Sequence, residues 1–108
     1  GCDICQDVCP WNRRAPHSAD PAFQSKKDLF WPELERLLDL NEEEWRIMIR
    51  GTAMKRAKVK GLLRNLMVVC GNSGARELLP RLRKYLAHAD EHVRSHADWA
   101  IRALSRGD

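Results

Sequence analysis

The chain has 108 residues, 44% hydrophobic and 31% charged, a balance that is typical of a soluble globular domain. No window comes near the roughly eighteen apolar residues of a transmembrane helix, and the first residues lack the pattern of a secretory signal, so no membrane association is expected. The four cysteines therefore indicate reduced thiols in a cytoplasmic protein rather than a disulfide scaffold. Because the sequence starts at Gly1-Cys2-Asp3, without Met, we expect it to begin inside a longer protein.

The formal net charge of +4 is unevenly distributed along the chain. Residues 1–51 carry seven Lys/Arg and ten Asp/Glu, whereas residues 52–108 carry twelve and five, which gives the second part a net charge of +7. A basic half of this kind favours a polyanionic partner, with nucleic acid the first candidate. A solvated basic surface is the alternative that charge alone leaves open.

Three of the cysteines form a motif in the first ten residues. The run Cys2-x2-Cys5-x3-Cys9-Pro10 matches the last three cysteines and the proline of the bacterial ferredoxin motif. In two-cluster ferredoxins the fourth cysteine binds the other cluster, so Cys2 and Cys5 are predicted ligands of one 4Fe–4S cluster and Cys9 of a second. The missing ligands would come from upstream residues. A zinc site that adds His17 to the three thiols is the alternative.

After residues 1–12, the end of this motif, the Pro- and Ser-containing residues 13–27 are expected to form an extended linker. The helical spacing of apolar residues in 28–108 predicts about five helices and no strand. Asp28 is expected to cap the first helix, with Pro32 in its opening turns, and Asn41 is expected to cap the second. The expected spans are 28–39, 41–51, 55–70, 75–87 and 91–105, with GNSG at 71–74 as the stop of the third helix.

The predicted core follows one face of each helix. Its members are Leu34, Leu37, Leu38, Trp45, Ile47, Met48, Ile49, Leu62, Leu63, Leu66, Met67, Val69, Leu78, Leu79, Leu82, Tyr85, Leu86, Val93, Ala97, Ala100, Ile101 and Leu104. Cys70 is expected to be a core thiol, and Trp31, Trp45 and Trp99 to lie in the core or an interface. The last two helices, LLPRLRKYLAHADEHVRSHADWAIRAL, resemble a HEAT repeat, whose helix pairs bury their apolar faces by stacking. The predicted fold class is all-α, with HEAT-like helical repeats preceded by an extended cysteine-containing tail from a ferredoxin-like domain.

The third predicted helix is unusually basic at its start. The candidate RNA-binding residues are Lys55, Arg56, Lys58, Lys60, Arg64 and Asn65. Lys60 and Arg64 lie four residues apart beside the small residues Ala57 and Gly61, an arrangement of long cations and exposed backbone that suits a phosphate. An RNA backbone would be bound here by charge and shape, without base specificity. For Gly61 alone, close approach by a neighbouring helix is the alternative explanation.

Three segments together resemble epoxyqueuosine reductases over nearly the whole chain: GCDICQDVCPWN, GTAMKRAKVKGLLRNLMVVCGNSG and the HEAT-like end. The resemblance implies the C-terminal portion of an oxidoreductase that reduces epoxyqueuosine to queuosine at the wobble position of tRNA anticodons. It implies two 4Fe–4S clusters, with Cys2 and Cys5 on one and Cys9 on the other, and a basic helix facing the tRNA anticodon arm. It also implies an electron donor, and a cobalamin and a catalytic acid in the upstream domain, so no catalytic residue is assigned here. A monomer is expected.

Two rival functions are weighed against this one. A HEAT-type protein-interaction module fused to an electron-transfer ferredoxin would not require five cations in residues 55–64. Reductive dehalogenase-like chemistry would share clusters and cobalamin but gives no reason for a basic helical domain.

His92 and His96 lie four residues apart on a predicted helix, a spacing that would let both bind one metal ion. No third ligand is evident, so we expect both side chains to lie on a solvent-exposed helix face.

Overall fold

In the computed structural model of the chain, residues 2–24, 29 and 32–106 are described. Within these residues all regular structure is helical, which confirms the all-α class. The α-helices are α1 (Ile4–Asp7), α2 (Leu34–Asp39), α3 (Glu42–Ile49), α4 (Lys58–Ser73), α5 (Leu79–Arg83) and α6 (Glu91–Arg106). Short 3-10 helices span Pro10–Arg14, Pro21–Phe23, Ala53–Ala57, Arg76–Leu78 and Lys84–Ala87. None of the described helices is long and apolar enough to cross a membrane. The HEAT-like repeat and the division of the chain at residues 12 and 27 stay predictions.

Helix α2 is shorter than the sequence predicts. It begins at Leu34, because Glu33 has extended backbone angles, and Pro32 therefore precedes the helix instead of lying in its opening turns. The predicted cap Asp28 and the predicted core residue Trp31 lie outside the described residues. Leu38 is fully buried, which confirms the inward face of this helix.

Helix α3 begins where its local signals predict. The side chain of Asn41 accepts a hydrogen bond from the Glu44 N–H at 2.8 Å, and the Asn41 N–H donates to the Glu44 carboxylate at 3.2 Å. This reciprocal capping box satisfies two N–H groups at the helix start. Trp45 is buried as predicted, but Ile47 is 55% exposed, because a helix turns by roughly 100° per residue and two residues bring the side chain to the opposite face.

The predicted third helix, 55–70, is wrong at both ends. Its first turn is the separate 3-10 helix Ala53–Ala57, and α4 begins only at Lys58. At the other end α4 continues through Gly71 to Ser73 and stops at Gly74, whose φ of 72° is the left-handed conformation that suits a C-terminal glycine. The GNSG sequence thus ends the helix through its second glycine.

Gly71, the first glycine of GNSG, lies within α4 at the contact between α4 and α6. A Cβ atom built there would clash with the Trp99 ring and lie 3.1 Å from the Ala100 Cα. A glycine is needed because the two helices approach this closely. Trp99 is 44% exposed and lies at the edge of this contact.

One hydrophobic core joins α2 to α6. Its buried members are Leu38, Trp45, Met48, Ile49, Val59, Leu63, Leu66, Met67, Cys70, Leu78, Leu82, Tyr85, Val93, Ala97, Ala100 and Leu104. The predicted core residues Leu34, Leu37, Leu62, Leu79 and Ile101 are partly buried against it, whereas Val69 and Leu86 are 51% and 43% exposed and were wrongly placed inside. The Cys70 thiol is fully buried, as predicted, and burial raises its pKa to about 11.

Charged side chains tie α2 to α5 outside this core. Arg81 lies 3.1 Å from a carboxylate oxygen of Asp39 and 3.6 Å from one of Glu35, and the Lys84 ammonium lies 3.9 Å from Asp39. These exposed pairs join an acidic helix of the first half of the chain to basic residues of the second. They neutralise part of the positive charge that the composition gives to residues 52–108.

Candidate nucleic-acid interface and cysteine segment

The predicted RNA-binding residues begin in a connection that reverses the chain after α3. Gly51 has a φ of 73°, and the Thr52 hydroxyl donates to the Ile49 carbonyl at 2.7 Å. The 3-10 helix Ala53–Ala57 follows and carries Lys55 and Arg56. It meets α4 at Lys58, whose φ of 60° and ψ of 165° fall in a region that side-chain-bearing residues seldom adopt. Such a conformation costs about 1–3 kcal/mol and is often found at functional sites.

The predicted cations do not form the single helical face that the sequence suggested. Three of them, Lys55, Lys58 and Lys60, line a concavity of about 650 Å³ that we call the α3–α4 hollow. The complete lining is Glu42, Arg46, Ile49, Arg50, Lys55, Lys58, Val59 and Lys60. Arg46 of α3 and Arg50, the residue that follows this helix, were missed by the sequence analysis.

Arg64 and Asn65 line a second concavity of about 310 Å³, the α4–α6 hollow, together with Ala57, Gly61 and His96. His96 is therefore close to the predicted RNA surface, which its position in the sequence did not indicate. Arg56 is exposed on the 3-10 helix. The structure thus divides the predicted set between two neighbouring hollows, and the division falls within α4, between Lys60 and Arg64.

Gly61 is not required by packing within the described residues. A Cβ atom at this position would meet only the Ala57 Cβ at 3.5 Å and the Arg64 Nη2 at 3.7 Å, which are ordinary contacts. Apart from Ala57 of the adjoining 3-10 helix, no other described helix has an atom within 4 Å of that Cβ position, so the explanation by helix–helix packing is not supported. Gly61 lines the α4–α6 hollow but is itself buried, so the exposed backbone that the sequence predicted at this position is not found.

Most of the predicted cations have no acidic partner among the described residues. In the parts of the chain that the structure covers, ion pairs are absent from Lys55, Arg56, Lys58 and Arg64. Arg46, by contrast, pairs with Glu42 at 2.6 Å and with Glu43 at 3.8 Å. Exposed cations without internal partners keep their charge available for an external anion.

Lys60 differs from these residues, because its ammonium lies 3.6 Å from the Oδ2 atom of Asp90. Asp90 caps α6: its Oδ1 atom accepts hydrogen bonds from the N–H groups of His92 at 3.0 Å and Val93 at 3.1 Å. The hydrogen bond from Val93, and then the charge of Lys60, lower the pKa of the Asp90 carboxyl. The carboxylate therefore stays charged near neutral pH and holds Lys60 beside the start of α6.

The cysteine segment lies outside the hydrophobic core. Cys2 and Cys5 are exposed, Cys9 is half-buried at the start of the 3-10 helix Pro10–Arg14, and all three thiols are free. Among the described residues there is no group of three or more His, Cys, Asp or Glu side chains arranged to hold a metal ion. Cys2, Cys5 and Cys9 carry thiols, the donor groups that iron–sulfur clusters require. They would form only partial ligand sets, which other residues would have to complete.

The fold and the site define a class: an all-α chain with a cationic surface and an exposed cysteine segment. Comparison with known proteins gives the family. The chain is 38% identical over 111 residues to the epoxyqueuosine reductase of Shewanella oneidensis, covering 100% of this chain and 28% of that protein. It is 39% identical to that of Pseudomonas aeruginosa and 35% identical to that of Escherichia coli, in each case over 103 residues and 94% of the chain.

No protein-family model and no solved structure matches the chain. Its similarity to the named relatives is nevertheless consistent over nearly its whole length. The chain belongs to the epoxyqueuosine reductase family and spans between a quarter and a third of the length of the curated relatives it matches.

Proposed function

We propose that the chain is the tRNA-binding and cluster-ligating part of an epoxyqueuosine reductase. The relatives carry that name, which supports a reductase that acts in queuosine formation. The observation that carries the RNA part of the proposal is that Lys55, Lys58 and Arg64, exposed cations in two adjoining hollows, form no ion pair with any described residue. The substrate would be the anticodon arm of a tRNA.

RNA would bind through its phosphates. Lys55 and Lys58 would act as point charges in the α3–α4 hollow, and Arg64 would present its planar fork in the α4–α6 hollow. Gly61 is buried beside the Ala57 and Arg64 side chains, so the phosphate contacts would come from the cations and not from its main chain. Because these contacts read charge and shape, base recognition belongs to other residues of the enzyme.

The cysteine segment would supply thiolates to two clusters. We assign Cys2 and Cys5 to one 4Fe–4S cluster and Cys9 to the other, with the remaining ligands outside this chain. The clusters would supply electrons for the reduction, and the cobalamin and catalytic acid that the family resemblance implies would lie outside these residues. The zinc alternative would need one group of three or four ligands at a single point. The electron donor, the monomeric state and the cytoplasmic location stay predictions.

The test is RNA binding by the chain, measured by fluorescence anisotropy with an anticodon stem-loop at several salt concentrations. The variant Lys55→Gln/Arg64→Gln removes one unpaired cation from each hollow. Each lost phosphate contact should flatten the log–log salt dependence by roughly 0.7, so the double variant should bind more weakly with a slope reduced by about 1.4.

The matched control is Arg102→Gln/Arg106→Gln, which removes the same charge from residues that line a separate concavity on α6. It should change affinity and slope less than the Lys55/Arg64 variant. If the two double variants are indistinguishable, or if the parent chain does not bind the stem-loop, the hollows are not the RNA site and a protein partner becomes the better explanation.

A further inference from the structure

We propose that Asp90 is a positioning residue of the RNA surface, which holds Lys60 back from phosphate and so limits how tightly the chain binds any RNA. This inference rests on the proposed RNA-binding function. It assigns a role to a residue that belongs neither to the cysteine segment nor to the predicted cations. Its basis is the contact between a fixed carboxylate and one of the predicted RNA-binding side chains.

Asp90 is held in place by several contacts. One carboxylate oxygen is engaged in the cap of α6, and the Asp90 N–H donates to the His88 Nδ1 atom at 3.0 Å. The Arg94 guanidinium braces the same turn through hydrogen bonds to the carbonyls of His88 at 2.7 Å and Ala89 at 3.0 Å. The side chain of Asp90 is only 18% exposed, against 65% for Lys60. The anion is thus the fixed partner, and the long, mobile ammonium is the one that is held.

Lys60 occupies the boundary between the two hollows. It lines the α3–α4 hollow, and the next residue, Gly61, lines the α4–α6 hollow. An RNA strand that used both hollows would pass over this point. A phosphate there would have to compete with Asp90 for the ammonium, and it would also be repelled by the carboxylate itself.

The other predicted cations would not meet this competition. Among the predicted cations that the structure describes, Lys60 alone forms an ion pair. The Asp90 carboxylate would lower the affinity of the chain for every polyanion by a similar amount. Only an RNA that makes the remaining contacts would then bind well. Asp90 would then restrain charge-driven binding to RNAs of the wrong shape.

The charge of Asp90 can be separated from its role as a cap. Asparagine caps helices about as well as aspartate, so Asp90→Asn keeps an acceptor for the N–H groups of His92 and Val93 while removing the anion beside Lys60. A circular dichroism melt establishes that the variant folds. Asp90→Ser, which also retains a capping oxygen, provides a second variant with the same loss of charge.

The experiment measures the affinity of the chain for an anticodon stem-loop RNA as a function of salt. Asp90→Asn should bind about two- to fivefold more tightly than the parent, since an exposed ion pair has that order of effect. The salt slope should steepen by about 0.7 as Lys60 gains a phosphate contact. In a Lys60→Gln background, Asp90→Asn should leave both the affinity and the slope nearly unchanged.

The matched control is Asp98→Asn, which removes an acidic partner from Arg102 on α6 and adds the same net charge to the chain. It should affect RNA binding less than Asp90→Asn. The inference is overturned if the parent binds the RNA but Asp90→Asn and Asp90→Ser bind no more tightly, or if their gain persists without Lys60 or equals that of Asp98→Asn. A parent chain that does not bind RNA overturns the proposed function itself, so the two failures are distinguishable.

Discussion

The phenol of Tyr85 donates a hydrogen bond of 2.6 Å to the main-chain oxygen of Leu38, which lies 47 residues earlier in the chain. Both residues are buried, and the bond joins the end of the α5 region to the last turn of α2. Helix α2 has only six residues, too few to be stable alone, so its position depends on such tertiary contacts.

The first prediction is that Tyr85→Phe destabilises the fold by about 1–2 kcal/mol, because the variant deprives a buried carbonyl of its partner without changing the packing of the ring. Urea unfolding followed by circular dichroism measures this. The adjacent variant Arg81→Gln, which breaks an exposed ion pair between the same two helices, should cost only about 0–1 kcal/mol. A loss for Tyr85→Phe that is no larger than the loss for Arg81→Gln would contradict the structural role of the phenol.

The second prediction concerns alkaline pH. Burial raises the pKa of Cys70 from 9.0 to about 11, and burial, with the charge of Asp39 next, raises the pKa of Tyr85 from 10.0 to about 12. Both groups bind their proton more tightly in the folded state. Their contribution is therefore complete below pH 9 and is lost as the pH rises from 9 to 11 for the thiol and from 10 to 12 for the phenol.

The free energy of unfolding should accordingly fall above pH 9 by roughly 1.4 kcal/mol per pH unit for each group that titrates. Urea midpoints measured at intervals across this range provide the profile. Cys70→Ala should be less stable at neutral pH but should lose the first part of the decline, so that its stability stays level until Tyr85 begins to titrate. Parallel profiles for Cys70→Ala and the parent would show that the thiol does not cause the decline.

The third prediction compares two glycines of α4. Gly71→Ala should destabilise the fold by about 1–3 kcal/mol, because the new methyl group would force α4 away from Trp99 and Ala100. Gly61→Ala should instead stabilise it by up to about 1 kcal/mol, since the methyl group makes only ordinary contacts and alanine is the better helix former. Equal stability changes for the two variants would show that the α4–α6 contact is less close than described.

The fourth prediction separates charge from backbone strain at Lys58. Lys58→Ala removes the charge but keeps a side chain at a φ of 60°, whereas Lys58→Gly removes both the charge and the strain. Lys58→Gly should therefore be more stable than Lys58→Ala by about 1 kcal/mol or more. Both should bind RNA more weakly than the parent. Thermal unfolding and the anticodon stem-loop assay test the two effects, and a glycine variant less stable than the alanine variant would argue against strain at this residue.

The fifth prediction concerns the cysteine segment in the full-length reductase that the resemblance implies. Cys5→Ala and Cys9→Ala should damage different clusters, because the two thiols are assigned to separate iron–sulfur centres. Electron paramagnetic resonance of the reduced protein distinguishes the losses. Identical spectra for the two variants would contradict the division. The 108-residue chain alone should not assemble a stable cluster, and a preparation with four irons per chain would show that its ligand set is complete.

Elements with strong local signals were predictable from the sequence, and elements set by tertiary contacts were not. The start of α3 was predictable because Asn41 satisfies main-chain groups within four residues. The break before α4 was not, because Lys58 is a residue type that normally avoids its observed conformation. Ile47 and Val69 were misplaced because an apolar residue on an exposed helix face gives the same local signal as one in the core.

The candidate interface was likewise only partly predictable from the sequence. The cations near the start of α4 were visible as a cluster in the sequence, but their separation into two hollows depends on the chain reversal between α3 and α4. Arg50 comes from the end of the preceding helix α3, just after Ile49, and Asp90 reaches Lys60 from the start of α6, thirty positions later. Neither contact has a local signal, since both depend on how the helices pack.

The ion pairs between α2 and α5 have a kinetic consequence. Asp39 and Glu35 neutralise the cations Arg81 and Lys84, so the local field is nearly balanced at that side of the molecule. Lys55, Lys58 and Arg64, which form no ion pair with any described residue, would then carry the positive charge that an approaching polyanion meets. RNA would be turned toward that side before contact, and added salt would slow its association more than it hastens its release. The acidic helix would thus help to orient a ligand that it does not touch.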